Sequence, residues 1–82
     1  MSLQLFKGKV VCPRCDGNGL IYKLEYQNLI LYICDECEAT WLNFNLISVE
    51  SFTDLQTLLE LKGLKYLDII KAEEDYYWYS PY

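Results

Sequence analysis

Cys12-Pro13-Arg14-Cys15 and Cys34-Asp35-Glu36-Cys37 are two C-x₂-C motifs separated by 18 residues, and this pair of motifs decides the fold. Cysteine pairs with this spacing are typical of two short knuckles, joined by a β-hairpin, that supply four thiolates to one tetrahedral zinc ion. The sequence therefore predicts one structural zinc ion. Its predicted ligands are Cys12, Cys15, Cys34 and Cys37.

The four-cysteine set predicts a closed metal site rather than a catalytic one. Four protein thiolates fill a tetrahedron and leave no position for water or substrate, which a catalytic zinc ion needs. Two other interpretations of the same cysteines stay open at this point. Iron in a rubredoxin-like site uses the same four ligands and would transfer electrons, and two disulfide bonds would form in an oxidising compartment.

The size of the chain explains why a metal ion would be useful. Its 82 residues suffice for one domain, near the size at which a hydrophobic core alone begins to stabilise a fold. A structural zinc ion contributes on the order of 10 kcal/mol, and this is also folding free energy because the unfolded chain has no preformed site. We expect the first half of the chain to be loose or unfolded without zinc.

Composition argues against catalysis and against a membrane. Histidine is absent, which removes the commonest general base at neutral pH, and the predicted metal occupies all four cysteines, so no thiol is left as a nucleophile. We therefore expect a protein that is not an enzyme. The sequence has neither a signal-peptide pattern nor an apolar run of roughly 18 residues, so we expect no membrane contact and a cytoplasmic location.

Alternating side chains predict the strands around the cysteines. Val10-Val11 predicts a short strand that leads into the first motif, and residues 20–26 alternate as a half-buried strand does. Gln27-Asn28 is a candidate two-residue turn. It precedes an apolar run at 29–33 that predicts a strand covered on both faces. Residues 40–46 alternate again and predict a third main strand.

A helix is predicted over residues 53–62. Thr53 and Gln56 form a capping-box pair, and apolar residues then recur at helical spacing. Gly63 is placed to end this helix. Beyond Gly63 the pattern predicts only short or irregular elements.

The predicted fold is a small metal-stabilised α+β domain that spans residues 1–82. Residues 7–47 are predicted to form a zinc ribbon of about three antiparallel strands. Residues 51–82 are predicted to add one C-terminal helix and an acidic, aromatic segment.

Two short motifs resemble known families. Residues 12–19, CPRCDGNG, resemble the C-x-x-C-x-G-x-G repeat in the zinc domain of DnaJ-type co-chaperones. Gly17 and Gly19 are the two glycines that the first motif shares with this repeat, and the second cysteine motif has no glycine at the matching positions. The tight turn of a knuckle is enough to explain the two glycines. Residues 34–41 resemble the C-x-E-C-x-x-x-W segment of small bacterial zinc-ribbon proteins, some of which are similar to immunity proteins encoded beside secreted toxins. This second resemblance raises the hypothesis of a toxin-neutralising protein.

Charge and aromatic residues at the C-terminus predict where a protein partner binds. The net charge is −5, and residues 50–82 hold three basic and seven acidic side chains. Tyr and Trp are enriched at interface hot spots, and carboxylates steer basic partners. We predict a protein-binding module, whose most specific form is a bacterial immunity or inhibitor protein against a basic toxin. The predicted partner-binding residues are Glu73, Glu74, Asp75, Tyr76, Tyr77 and Trp78.

Other interpretations of this surface stay open. The aromatic side chains would serve equally well to complete the hydrophobic core or to form a homodimer contact, and an accessory subunit of an enzyme would share these features. The alternative function is a nucleic-acid-binding or transcription-associated zinc ribbon. Seven basic residues scattered along an acidic chain do not form the cluster that phosphate neutralisation needs. This alternative would use the basic residues near the first motif, which are Lys7, Lys9, Arg14 and Lys23.

Overall fold

An antiparallel sheet of seven strands organises this protein, whose computed structural model describes residues 3–15 and 18–79. The first six strands lie side by side in chain order, and the seventh pairs with the third. The expected number of about three strands is therefore wrong, because four further strands of two or three residues extend the sheet. The strands are β1 Leu5–Phe6, β2 Lys9–Val11, β3 Leu20–Tyr26, β4 Leu29–Cys34, β5 Ala39–Trp41, β6 Thr53–Asp54 and β7 Glu74–Asp75.

Two-residue turns of the same kind close the β1–β2 and β3–β4 hairpins. Gln27 and Asn28 have φ angles of 46° and 64° and join β3 to β4, which confirms the predicted turn. Lys7 and Gly8 have φ angles of 52° and 84° and join β1 to β2. Positive φ at both central residues is the type I′ geometry, whose twist matches that of the flanking strands. The β1–β2 hairpin was not predicted.

One face of the central β3–β4 hairpin packs against a helix. Tyr22 lies opposite Ile33, and Leu24 lies opposite Leu31, so the four side chains share a face. Helix α1, Leu55–Leu61, covers them with three buried leucines. The buried members of this cluster are Tyr22, Leu24, Leu31, Ile33, Leu55, Leu58, Leu59 and Ile69.

The opposite face of the same hairpin is covered by Trp78. Its ring centroid lies 4.7 Å from that of Tyr32, and its Nε1–H donates a hydrogen bond of 2.9 Å to the carbonyl oxygen of Ile21. Trp41 is buried in the same cluster. Both faces of the hairpin are thus covered, which explains why β4 is apolar over most of its length.

The predicted third strand over 40–46 is wrong beyond Trp41, where β5 ends. The Asn43 side chain accepts a hydrogen bond of 2.9 Å from the Asn45 backbone N–H and caps a short 3₁₀ helix, Phe44–Leu46. Asparagine competes with strand pairing in this way because its side chain can bond to nearby backbone groups. The alternating apolar residues of this stretch, Leu42, Phe44 and Leu46, are exposed.

Helix α1 begins two residues later than predicted. Thr53 lies in β6, where it pairs with Thr40 of β5, so it does not form the expected capping box with Gln56. Asp54 is the N-cap, and its Oδ2 accepts a hydrogen bond of 3.4 Å from the Thr57 N–H. Asp54 therefore ends strand β6 and caps the start of helix α1.

Gly63 ends helix α1 as predicted. Its φ angle is 71°, its N–H donates to the Glu60 carbonyl at 3.1 Å, and the Leu64 N–H donates to the Leu59 carbonyl at 2.8 Å. This is a Schellman motif, which suits glycine because it needs a left-handed residue. One further helical turn, α2 at Tyr66–Ile69, follows. None of the helices in the described part of the chain has the length and apolarity needed to cross a membrane.

The packing of Trp78 yields a prediction about stability. Trp78→Ala should lower the free energy of unfolding by about 2 to 4 kcal/mol, because it removes a ring from the core. Tyr77→Ala is the matched control, since 65 % of Tyr77 is exposed, and it should cost less than about 1 kcal/mol. Urea denaturation of the metal-loaded proteins measures both values. Equal losses would contradict a structural role for Trp78.

Candidate metal centre

The structure brings the four cysteine sulfurs together into one cluster. All four Sγ atoms lie within 4.8 Å of one another. The Sγ atoms of Cys12 and Cys37 are 3.8 Å apart, and those of Cys15 and Cys34 are 3.5 Å apart. A tetrahedral ion with metal–sulfur bonds of about 2.3 Å needs sulfur–sulfur distances of about 3.8 Å. The cluster therefore fits one metal ion bound by four thiolates.

The cysteines do not form disulfide bonds. All four are free, and the sulfur pairs are well beyond the covalent S–S distance of about 2.05 Å. Cys12 and Cys34 are completely buried, whereas Cys15 and Cys37 are half-buried. Each knuckle thus contributes one inner and one outer ligand.

Strand register places the two knuckles beside each other. Cys34 ends β4 directly opposite Ile21 of β3, and Ile21 pairs on its other side with Val10 of β2. Two hydrogen bonds continue this register past the strands. The Cys12 N–H donates to the Gly19 carbonyl at 3.0 Å, and the Asp35 N–H donates to the Leu20 carbonyl at 3.0 Å.

Backbone N–H groups of the second knuckle point at the Cys34 sulfur. The N–H groups of Glu36 and Cys37 each donate to Cys34 Sγ at 3.4 Å. Burial raises the pKa of the Cys34 thiol, and these two N–H groups oppose the rise. Burial also raises the pKa of Cys12. A metal ion must displace protons from these thiols, so its affinity falls as the pH falls.

Cys37 has a different environment from the buried ligands. Its partial burial favours the neutral thiol, but the Ala39 backbone N–H, the Arg14 side chain and the thiols of Cys34 and Cys12 bring its pKa to about 7. Cys37 therefore gives up its proton more readily than the buried Cys12 and Cys34 do before the metal binds.

Asp35 connects the second knuckle to the C-terminal segment. Its Oδ1 accepts a hydrogen bond of 2.9 Å from the Leu20 N–H, and its Oδ2 accepts one of 2.9 Å from the Tyr76 hydroxyl. Burial and the negative Asp35 carboxylate both raise the pKa of Tyr76. Sequence reasoning missed this role of Asp35, and the chain carries no local signal for a contact across 41 positions.

The six predicted partner-binding residues lie in different surroundings. Tyr76 packs on Tyr22 at 5.4 Å between centroids, on the helix side of the sheet, whereas Trp78 packs on the opposite side. Tyr77 is exposed, and its ring lies next to the place that a Cβ atom would occupy at Gly8. The three remaining residues, Glu73, Glu74 and Asp75, are exposed.

Strand β7 holds the acidic residues against the sheet. Asp75 pairs with Lys23, and Glu74 pairs with Leu24. Together with Glu25 and Glu73, the charged residues of these two strands line an open depression of about 490 Å³. This acidic depression thus has four carboxylates and one ammonium group. Ser80, Pro81 and Tyr82 of the predicted segment, and Asp16 and Gly17 of the first knuckle, lie outside the described residues.

Three basic side chains near the first knuckle lie over aromatic rings. Such cation–π contacts hold a side chain close to the protein surface. The contacts are Lys7 over Phe6 at 5.4 Å, Lys9 over Tyr76 at 5.5 Å and Tyr77 at 5.6 Å, and Arg14 over Phe52 at 4.3 Å.

Comparison with known proteins gives no family for this chain. No family model matches it, and neither a curated protein nor a solved structure is significantly similar to it. The resemblances of the two cysteine motifs therefore stay local.

The close approach of Gly19 to the sulfurs gives a prediction about metal affinity. A Cβ atom at Gly19 would overlap Cys34 Sγ and lie 2.8 Å from the Glu36 Cβ. Gly19→Ala should therefore weaken metal binding at least about tenfold, as measured by competition with a chromophoric chelator.

Gly63→Ala is the control for Gly19→Ala. The φ angle of Gly63 is unfavourable for alanine, unlike that of Gly19, but a Cβ atom at Gly63 meets nothing within 4 Å. It should cost about 1 kcal/mol of stability and leave the metal affinity unchanged. Equal metal affinities for the two variants would contradict the proposed crowding at Gly19.

Removal of one buried ligand tests whether the site is structural. Cys34→Ser should lower the free energy of unfolding of the metal-loaded protein by several kcal/mol, because three thiolates hold the ion less tightly. In excess chelator the variant and the unmodified protein should be unfolded to the same extent before denaturant is added, since the metal no longer contributes. Near-native stability of the metal-loaded variant would contradict a structural role.

Proposed function

We propose that this protein is a non-enzymatic module that binds a basic protein partner through its acidic C-terminal surface, on a scaffold held by one structural zinc ion. The single observation that supports a binding surface most directly is the acidic depression along β3 and β7. A strand fixed by backbone hydrogen bonds presents its carboxylates in a constant arrangement, which favours specific recognition over general solubility.

Zinc is the metal that we propose for the cysteine cluster. A tetrahedral set of four thiolates suits zinc and iron alike, but two C-x₂-C knuckles around a β-hairpin are typical of structural zinc sites. The four ligands complete the coordination, so the ion supplies stability and no reactive water. Elemental analysis of purified protein should give one zinc per chain; two metals, none, or iron would contradict this assignment.

Charge complementarity supports a basic partner. The acidic depression contains Glu25, Glu73, Glu74 and Asp75 against the single Lys23, and like charges that lie this close are relieved by a cation from a partner. Of the basic residues of the alternative nucleic-acid interface, Lys7, Lys9 and Arg14 lie over aromatic rings, and Lys23 lies among the carboxylates of the acidic depression. These contacts favour the protein-binding function over binding to phosphate groups.

An inhibitor of a basic enzyme or toxin is the most specific form of this proposal. Basic nucleases have cationic clefts that accept polyanions, and a rigid acidic strand is complementary to such a cleft. An immunity protein would lower the activity of its partner, whereas an accessory subunit would raise it. The activity of the captured partner, with and without this protein, distinguishes the two.

Charge reversal tests the proposed surface. Glu73→Lys should weaken binding to the basic protein captured from the source cell at least about tenfold, because it places like charges opposite each other. Glu50→Lys makes the same change of charge at an exposed position outside the acidic depression and should have little effect. Capture by tagged protein, identification by mass spectrometry and titration of the purified partner provide the measurement.

Two results would overturn the proposed function. One is that Glu73→Lys and Glu50→Lys bind the same basic partner as tightly as the unmodified protein does. The other is salt-sensitive binding of the unmodified protein to generic DNA or RNA, which would favour the alternative.

A further inference from the structure

A second concave surface lies on the helix side of the protein, away from the acidic depression. It is a groove of about 440 Å³ between helix α1 and the chain that follows Gly63. Leu55 and Leu59 are buried and form its floor, with the half-buried Leu64 beside them. The Schellman motif at Gly63 turns Leu64 back against Leu59. The floor of this groove, which we call the leucine groove, is thus apolar and fixed by the helix end.

Charged and aromatic groups stand at the rim of the leucine groove. Glu38 follows the second knuckle, Glu60 lies on α1, and Tyr66 begins α2 with 51 % of its surface exposed. Lys65 is the basic residue among the lining groups. The rim therefore carries two negative charges, one positive charge and one accessible aromatic ring above an apolar floor.

The backbone at Glu38 is held in a conformation that suits glycine better than glutamate. Its φ angle is 60°, and its carbonyl oxygen accepts hydrogen bonds from the Leu55 N–H and the Thr40 hydroxyl, both at 3.1 Å. Strained residues of this kind concentrate at functional sites. The backbone conformation does not require glutamate at this position, so we look for a role of its carboxylate.

The Glu38 carboxylate at the rim also affects the buried Tyr22 side chain. Burial raises the pKa of the Tyr22 phenol, and the charge on Glu74 raises it further, with a contribution from Glu38. Tyr22 is a buried member of the helix-side cluster. The Glu38 carboxylate at the leucine groove and the Glu74 carboxylate of strand β7 thus act on the same buried phenol.

We propose that the leucine groove binds an arginine side chain of the protein partner. The methylene groups of arginine would pack on the leucines, and its guanidinium would pair with the carboxylates of Glu38 and Glu60 and stack on the Tyr66 ring. A planar guanidinium fits this combination of carboxylates and ring better than an ammonium does. This assignment rests on the proposed function, because it names one contact that a basic partner makes.

Titration with a small arginine probe tests the leucine groove without the partner. N-acetyl-arginine N-methylamide, added to ¹⁵N-labelled zinc-loaded protein, should cause saturable NMR shifts at the amides that surround the groove. The norleucine analogue, which is apolar and of similar length, should bind at least about tenfold more weakly. Equal binding of the two probes, or arginine-induced shifts confined to residues 73–75, would overturn the assignment.

Two variants with opposite expected effects on arginine affinity test whether the groove recognises charge. Glu38→Gln should weaken arginine binding about fivefold, because it removes one carboxylate and keeps the shape of the side chain. Lys65→Gln should strengthen it about threefold, because it removes the competing positive charge. Unchanged affinity in both variants would contradict recognition of charge at the groove.

The groove and the proposed function fail in distinguishable ways. If the captured partner binds Glu38→Gln as tightly as the unmodified protein but is lost with Glu73→Lys, the groove assignment is wrong and the proposed function stands. If the cell yields no basic partner while the arginine probe still binds at the groove with both variant effects, the groove assignment stands and the proposed function is wrong.

Discussion

The convergence of four thiolates on one point is the constraint on which the rest of this structure depends. Cys12 and Cys34 are completely buried, and all four sulfurs lie within 4.8 Å of one another. Four thiolates at this distance repel each other unless a divalent cation neutralises them. Bringing the sulfurs together also requires β2, β3 and β4 to keep one register, because Ile21 of β3 pairs with Val10 of β2 on one side and with Cys34 of β4 on the other. We therefore expect metal binding and formation of the sheet to occur together.

The C-terminal segment is both core and surface. Trp78 bonds to the Ile21 carbonyl, and the Tyr76 hydroxyl bonds to Asp35 beside the metal centre. These two anchors hold β7 against β3 and leave its carboxylates exposed. A segment that is fixed in this way displays charge in a defined geometry, so the stability of the fold and the proposed recognition depend on neighbouring residues of one segment.

Long elements and spaced motifs could be predicted from the sequence, whereas two-residue strands could not. The cysteine spacing, the β3–β4 hairpin and the helix end at Gly63 each have a strong local signal. Strands β6 and β7 are defined by partners that lie far away in the chain, so no periodicity marks them. The apolar alternation after Trp41 predicted a strand, but the side chain of Asn43 ends it. Contacts such as that of Asp35 with Tyr76 follow only from the folded structure.

Hydrogen exchange of the protein with and without its metal tests the central claim most directly. We expect chelation to remove protection from the backbone amides of β2, β3 and β4 together, and also from α1, because the helix packs on that hairpin. The indole N–H of Trp78 should lose protection in the same step, since its acceptor belongs to β3. Retained protection of β3, β4 and the Trp78 indole in the metal-free protein would contradict the dependence of the fold on the four-thiolate site.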